Sequence, residues 1–300
     1  MDRTVADTIR ELTRRHIADH NGVVVGQCLS AVGWVQNTVP AQTEGVVELP
    51  MTDIAGSGFA VGLALAGRRP VLVIRFQSFL WLNASPIVNY AAKSKEMFGY
   101  PCPLLVRAIA SEGGGTGPVH SHAYHSMFMH MPGLPVCAPM TPGEYEQVWE
   151  RYLSHDDPLL VSEHRASYKN NRELPDIVRD DAVVTLYAVG PARFTAEQAV
   201  ADLADRGIVC NLIHLVWLKP FAPSPAQLDP LRATGRGLVV DATYETCGAA
   251  RSLAYDLSQA TGRMVAAMGL EERSPGASPH LDNLTPSAER IAARIEALLR

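Results

Sequence analysis

The sequence predicts an α/β protein of two domains, each built on a mostly parallel sheet. Three observations predict it. Short β-branched runs alternate with helical stretches, which requires crossover connections and therefore parallel strands. The alternation breaks once, over the polar run 163–181 (EHRASYKNNRELPDIVRDD), and then restarts. A chain of 300 residues, 47% hydrophobic, can furnish two cores of ordinary size. The expected domains are 1–175 and 176–300.

Val5–His20 carries Val5, Ile9, Leu12 and Ile17 at helical spacing, and Gly22 stops the helix. Val23–Gly26 reads as the first strand, and 27–44, with its Gly, Asn, Thr and Pro, as a long loop of the active-site type. Val46–Leu49 is expected as a short buried strand. Pro50 ends it, because proline fixes φ and lacks the N–H that a central ladder needs. Gly58–Gly67 (GFAVGLALAG) is small and apolar, as in a helix packed tightly on its neighbours. Val71–Ile74 and Pro103–Ile109 read as strands, with one helix, Leu80–Phe98, between them. A polar loop, 110–118, leads to the strand Leu134–Ala138. The helix Thr141–Ser154 follows, with Pro142 and Glu144 in its first turn, where helix starts favour them. Pro158–Ser162 is the last strand of this half. The second half reads as strands Ala182–Val189, Val209–Leu215, Gly237–Val240 and Met264–Met268. Its helices are Thr195–Arg206, Ser224–Thr234, Ala249–Gln259 and Pro286–Leu299.

Composition excludes some functions. A net charge of −5 with 19% charged residues gives no basic stripe for nucleic acid, and the low charge points to a surface partly covered by a partner. The five cysteines are scattered without a C-x-x-C pair, as free thiols in a reducing compartment are, not as a disulfide framework or zinc site. The first twenty residues are too charged for a signal peptide, and no apolar run approaches a membrane span. A cytoplasmic protein is expected.

The one acidic residue between the Val46–Leu49 strand and the small-residue helix is Asp53. Carboxyl ends of strands beside helix starts are where α/β proteins place working groups. The plainer reading is a helix cap through its side-chain oxygen. Gly56-Ser57-Gly58 suggests a dinucleotide fingerprint, but the third glycine falls at Gly62, one position late, and no ribose-binding acid follows. Close helix–sheet packing explains these glycines better. Gly113–Gly117 lacks the Lys-Ser/Thr of a phosphate loop and reads as a lid or substrate loop. Four histidines crowd into HSHAYHSMFMH: His120, His122, His125 and His130. They could bind a metal, provide one acid–base or charge-stabilising group, or simply pack. Phe76, Phe79 and Trp81, after the Val71–Ile74 strand, are either core or a stacking wall for a flat ligand.

Taken together and in order, four stretches resemble the β subunits of thiamin-diphosphate-dependent 2-oxo acid dehydrogenases, and more distantly the second half of transketolases. LPMTDIAGSGFAVGLALAG (49–67) is similar to the family's P-I-S-E-x-G-F-x-G-x-A-x-G-x-A-x-x-G. IRFQSF (74–79) with IVNYAAK (87–93) is similar to its pyrimidine-side strand and helix. His120-Ser121 with Met131-Pro132-Gly133-Leu134 is similar to its H-S…P-G-L. Val189-Gly190 and Leu238–Asp241 resemble, more weakly, its C-terminal domain.

The resemblance implies a pyrimidine-binding domain followed by a transketolase C-terminal-like domain. It implies thiamin diphosphate seated between two subunits, with Mg²⁺ and the diphosphate held by an α subunit through a G-D-G…N motif that this chain lacks. No metal ligand is expected here. The chain should be inactive alone and work as a heterotetramer of two α and two β chains on a 2-oxo acid or ketose. Residue by residue, Asp53 takes the place of the glutamate that hydrogen-bonds the pyrimidine N1′, and Phe79 that of the stacking aromatic, with Phe76 beside it. His120 takes the place of the histidine that faces the substrate and stabilises charge. The sequence departs from the family in three places. Asp53 is shorter than glutamate by one methylene, about 1.5 Å of reach. Ser85-Pro86 stands where relatives carry Asp-Gln, and Gln27 where acids are usual. Three rival readings follow. One is a split transketolase-like enzyme, with Arg75 and Arg107 as its phosphate-channel arginines. Another is a non-catalytic scaffold subunit, with Asp53 as the lesion. The third is a metal-dependent enzyme using His120, His122 and His125.

Overall fold

The computed structural model describes residues 3–30, 33, 35–41, 44–111, 116–275 and 283–300. The glycine run read as a lid loop lies outside the described residues at 113–115. The chain forms two compact units: 1–111 with 127–173, and 112–126 with 174–300.

The first unit opens with α1 (Val5–Asp19), started by a capping box between Thr4 and Asp7 and buried along Val5, Ile9, Leu12 and His16. Next come β1 (Gly22–Gly26), β2 (Val46–Glu48), α2 (Asp53–Leu65) and β3 (Arg69–Ile74). Six strands of this unit run parallel in the order β2-β1-β3-β4-β6-β5, where β4 is Leu105–Ala110, β5 Val136–Cys137 and β6 Leu159–His164. Every residue of β1, β4 and β6 is buried, as the apolar runs of a parallel sheet covered on both faces require. The expectation that β2 is buried fails. It is the edge strand and its residues stay partly exposed.

The expected single helix 80–98 is broken. A 3-10 turn (Gln77–Phe79) leads into α3 (Leu80–Ser85), a π-helical turn (Pro86–Tyr90), a second 3-10 turn (Ala91–Lys93) and α4 (Ser94–Phe98). Pro86 lacks the N–H for the helical ladder and its ring crowds the preceding turn, so the helix widens there. After α5 (His125–Met129), α6 (Pro142–Ser154) has the anticipated start, with Pro142 at its head and a capping box between Thr141 and Glu144.

The polar run begins later than expected. β6 continues to His164 because Glu163, in the middle of the sheet, pairs with the guanidinium of Arg107 and both are fully buried. A buried ion pair spells like a linker.

The second unit carries β7 (Val184–Val189), α7 (Ala192–Ala204), β8 (Cys210–Leu215), an unanticipated short β9 (Trp217–Lys219) and α8 (Pro225–Thr234). β10 (Arg236–Tyr244), α9 (Ala249–Thr261), β11 (Met264–Leu270) and α10 (Ala288–Leu299) complete it. Its parallel sheet has the order β11-β10-β7-β8. Val184, Leu186 and Ala188 form one core with Ala192, Ala196 and Ile291, so α7 and α10 cover that face. Tyr187, pointing the other way, donates its hydroxyl to the Gln227 carbonyl of α8 at 2.6 Å. All five cysteines are free thiols. No helix among the described residues is long and apolar enough to cross a membrane.

Candidate functional site

The first sheet changes direction at β1. β1 passes to β2 on one side, and the chain then returns across β1 to β3 on the other. Beyond the carboxyl ends of such a strand pair, outgoing chains diverge and leave a crevice. A small cleft of about 20 Å³ lies there, lined by Gly26, Gln27, Ile74, Arg75, Phe79 and Asn83, and by Leu49, Asp53 and Gly56.

Asp53 is the first residue of α2 and not its cap, which is Thr52, so the capping reading fails. Its Oδ1 accepts from Asn83 Nδ2 at 3.2 Å. The same Nδ2 donates to the carbonyl of Phe79 at 2.8 Å, and Asn83 is buried. α2 lies close to the sheet because its buried side is Gly56, Ser57, Ala60, Val61 and Ala64. Of the three glycines expected to allow close packing, only Gly56 is closely approached; an added Cβ at Gly58 or Gly62 would meet nothing within 4 Å. At Gly56 an added Cβ would stand 2.9 Å from Leu49 Cδ1, narrowing the cleft that both residues line.

Arginines and aromatics alternate along the other wall. The Arg75 guanidinium lies 5.1 Å over the Phe79 ring, and its Nη1 donates to Gln27 Oε1 at 3.1 Å. Phe79 meets Phe76 edge to face, 6.1 Å between centroids. Arg165 in turn lies 4.6 Å over Phe76 and donates to the Arg75 carbonyl at 3.2 Å. Phe76 is buried behind Phe79 and does not line the cleft. Each cation holds an aromatic face in place.

Arg107, the other channel arginine of the sugar-phosphate reading, is not available. Its Nε and Nη2 each donate to Glu163 at 2.7 Å, and Nη2 also donates to Thr38 Oγ1 at 2.7 Å. Tyr168 adds its hydroxyl to Glu163. Burial opposes the guanidinium charge, but Glu163 outweighs it and raises the pKa. Sequence reasoning missed Asn83, which nothing in its local pattern marks. It also missed Glu48, whose carboxylate accepts the backbone N–H groups of Leu29 (3.0 Å) and Ser30 (3.1 Å) and fixes the start of the loop after β1.

His120, His122 and His125 belong to the second unit, and His130 to the first. His120 is half-buried, on a turn where its N–H and the Ser121 hydroxyl both donate to the Gly117 carbonyl, at 3.3 and 2.8 Å. His122 is buried between two phenols, with Nε2 2.8 Å from Tyr244 Oη and Nδ1 3.2 Å from Tyr124 Oη. Burial lowers its pKa. His125 is fully buried, its Nε2 3.1 Å from Asp241 Oδ2. Burial works against the Asp241 charge, but His125, the Thr243 hydroxyl and a backbone N–H outweigh it and hold the carboxyl below its usual range. With His122 and His125 turned to different partners, the three-histidine metal site is not formed. Among the described residues no group of three His, Cys, Asp or Glu could hold a metal ion.

Residues 10–171 match the model of the transketolase pyrimidine-binding domain, and 175–291 that of the transketolase C-terminal domain. The β subunit of acetoin:2,6-dichlorophenolindophenol oxidoreductase of Cupriavidus necator is 31% identical over 268 residues, covering 83% of this chain and 78% of that protein. The pyruvate dehydrogenase E1 β subunit of Rickettsia conorii is 24% identical over 273 residues, 85% of this chain and 83% of its own. Among solved structures, a split-gene transketolase, an inactive β4 tetramer, superposes with a TM-score of 0.77 at 17% identity, over 100% of this chain and 99% of that one. With the pyrimidine-binding and C-terminal domains of transketolase in register over most of its length, the chain belongs to the family of β subunits that includes those of pyruvate dehydrogenase and acetoin oxidoreductase.

Proposed function

We propose that this chain receives the aminopyrimidine of thiamin diphosphate in the Asp53 cleft, as the β half of a two-component enzyme. An α subunit would grip the diphosphate and Mg²⁺. The pair would cleave a 2-oxo acid or ketose beside its carbonyl and pass on the acyl or ketol fragment. The observation that carries this is the meeting of a carboxylate and a flat aromatic ring in one small cleft at the switch point of the first sheet. The donor set fits: Asp53 can accept from a ring nitrogen, Gln27 and Asn83 offer amides, and Phe79 offers a ring edge or face. When bound, thiamin diphosphate supplies the electron sink for cleavage next to a carbonyl. Asp53 would hold the proton at the ring nitrogen, Phe79 would orient the ring with Phe76 behind it, and His120 would face the substrate and stabilise developing charge.

The domain boundary is taken at 175, between the two matched regions. Exposed apolar side chains of the α2–α3 region, among them Met51, Ile54, Phe59, Trp81 and Leu82, support burial against a partner in a tetramer of two α and two β chains. With no membrane-crossing helix among the described residues, a cytoplasmic location fits this role. Arg75 in the cleft favours a second reading, an enzyme of the split transketolase kind acting on anionic sugars.

The test is a calorimetric titration of thiamin diphosphate with Mg²⁺ into the chain alone and into its mixture with the protein encoded beside it. Binding in the mixture only, lost in Phe79→Ala, is the expected result. No binding to a complex shown to have formed overturns the assignment. Turnover of 2-oxo acids against ketose phosphates by the loaded complex separates the two readings.

A further inference from the structure

In both sheets the chain passes to one side of the first strand and then returns to the other, so each has a crevice beyond the carboxyl ends of two neighbouring strands. In the first unit that crevice is the Asp53 cleft. In the second it lies beyond β7 and β10, whose outgoing helices α7 and α9 leave on opposite faces. The ladder between these strands ends at Val240 and Ala188, and Asp241 is the next residue of β10. A fully buried carboxylate at a crevice of this kind is the feature that usually meets a ligand. Here the group that meets it comes from the chain itself, 116 positions earlier: His125. Three residues before it, His122 reaches the hydroxyl of Tyr244, the last residue of the same strand, at 2.8 Å. Two points of one segment are thus fixed to one strand end, and the turn bearing His120 projects directly from them, closed by the Ser121 bond to Gly117.

We propose that the segment 116–126 is the built-in occupant of the second crevice, and that His125 and Asp241 are positioning residues that hold His120 in place. The part concerning His120 rests on the functional reading above. The pairing itself does not. A buried carboxylate tolerates burial only with hydrogen-bonding partners, so releasing the segment takes His125 from Asp241 and leaves a buried charge less compensated. Neither residue needs to touch a substrate to set where His120 stands.

The first readout is hydrogen–deuterium exchange on the full chain, which needs no cofactor. In His125→Leu the peptide covering 116–126 should exchange at least about tenfold faster, while peptides from β7 and β8 keep their protection. His125→Gln, which retains a donor for Asp241, should stay close to the native rate. In the loaded complex, His125→Leu should lower kcat by about tenfold or more with KM and cofactor affinity unchanged, His125→Gln should recover most of the loss, and His120→Ala/His125→Leu should be no slower than His120→Ala. If His125→Leu does not fold, Asp241→Asn is read in the same way. Unchanged exchange, or a kcat loss that His125→Gln does not recover, overturns the proposal. Full turnover by His120→Ala instead overturns the functional role given to His120, and leaves the exchange result to decide the pairing.

Discussion

One amide group of Asn83 serves both Asp53 and Phe79, donating to the carboxylate at 3.2 Å and to the backbone carbonyl at 2.8 Å. The acid and the aromatic of the cleft therefore share an anchor on α3. Asn83→Ala frees both at once. The expected outcome is cofactor affinity in the two-subunit complex weakened about tenfold, measured by calorimetry, with the fold retained because one hydrogen-bonding side chain is lost from a helix end.

Asp53 decides between a working and a degenerate site. Asp53→Ala should reduce turnover of the loaded complex by at least about a hundredfold, the scale of a positioned proton-transfer group. Asp53→Glu restores the family's side-chain length. Lower turnover than the native chain marks a site retuned around aspartate, and higher turnover marks Asp53 as a lesion and favours the scaffold reading.

The Arg107–Glu163 pair is fully buried and central to the first sheet. Removing one partner strands the other charge, so Glu163→Gln should destabilise the first unit by about 3–5 kcal/mol. Replacing both, Arg107→Met with Glu163→Leu, should cost less than either single change. Denaturant midpoints of the three variants check the order.

Acid should weaken the first unit through His16. Burial pushes its pKa from 6.5 down to about 4, its Nε2 donates to the Arg69 carbonyl at 2.7 Å, and its Nδ1 has no hydrogen-bond partner. The unfolded chain takes up the proton first, so the stability that neutral His16 contributes is complete above pH 6.5 and is lost as pH falls from 6.5 towards 4. The loss is about 3 kcal/mol across that window. Thermal midpoints of native and His16→Leu chains at pH 7 and pH 4.5 should show a clearly smaller acid shift in the variant.

Apolar periodicity made most elements of both sheets legible, because β1, β3, β4 and β6–β8 are buried runs of a kind that only a covered parallel sheet uses. Legibility stopped where polar residues were buried or a helix was broken. Glu163 looked like linker because its partner Arg107 is 56 positions away. Pro86 turned one anticipated helix into four short pieces. At the site, Asp53 and Phe79 were visible through the motif around them, whereas Asn83 was not, since only the fold brings it within reach. The histidine run read as one cluster of like residues, but burial sorts it into separate environments: a phenol clamp for His122 and the buried Asp241 carboxylate for His125.

The segment 112–126 lies in sequence between β4 and β5 of the first unit, yet packs as part of the second. Dissection and grafting must respect that interleaving. A fragment that starts at residue 174 would contain every strand of the second sheet and still lack the His125 side chain that meets Asp241. A chimera spliced at that point would pair one parent's Asp241 with the other parent's residue at position 125. Exchangeable halves of this chain have three cut points, not one.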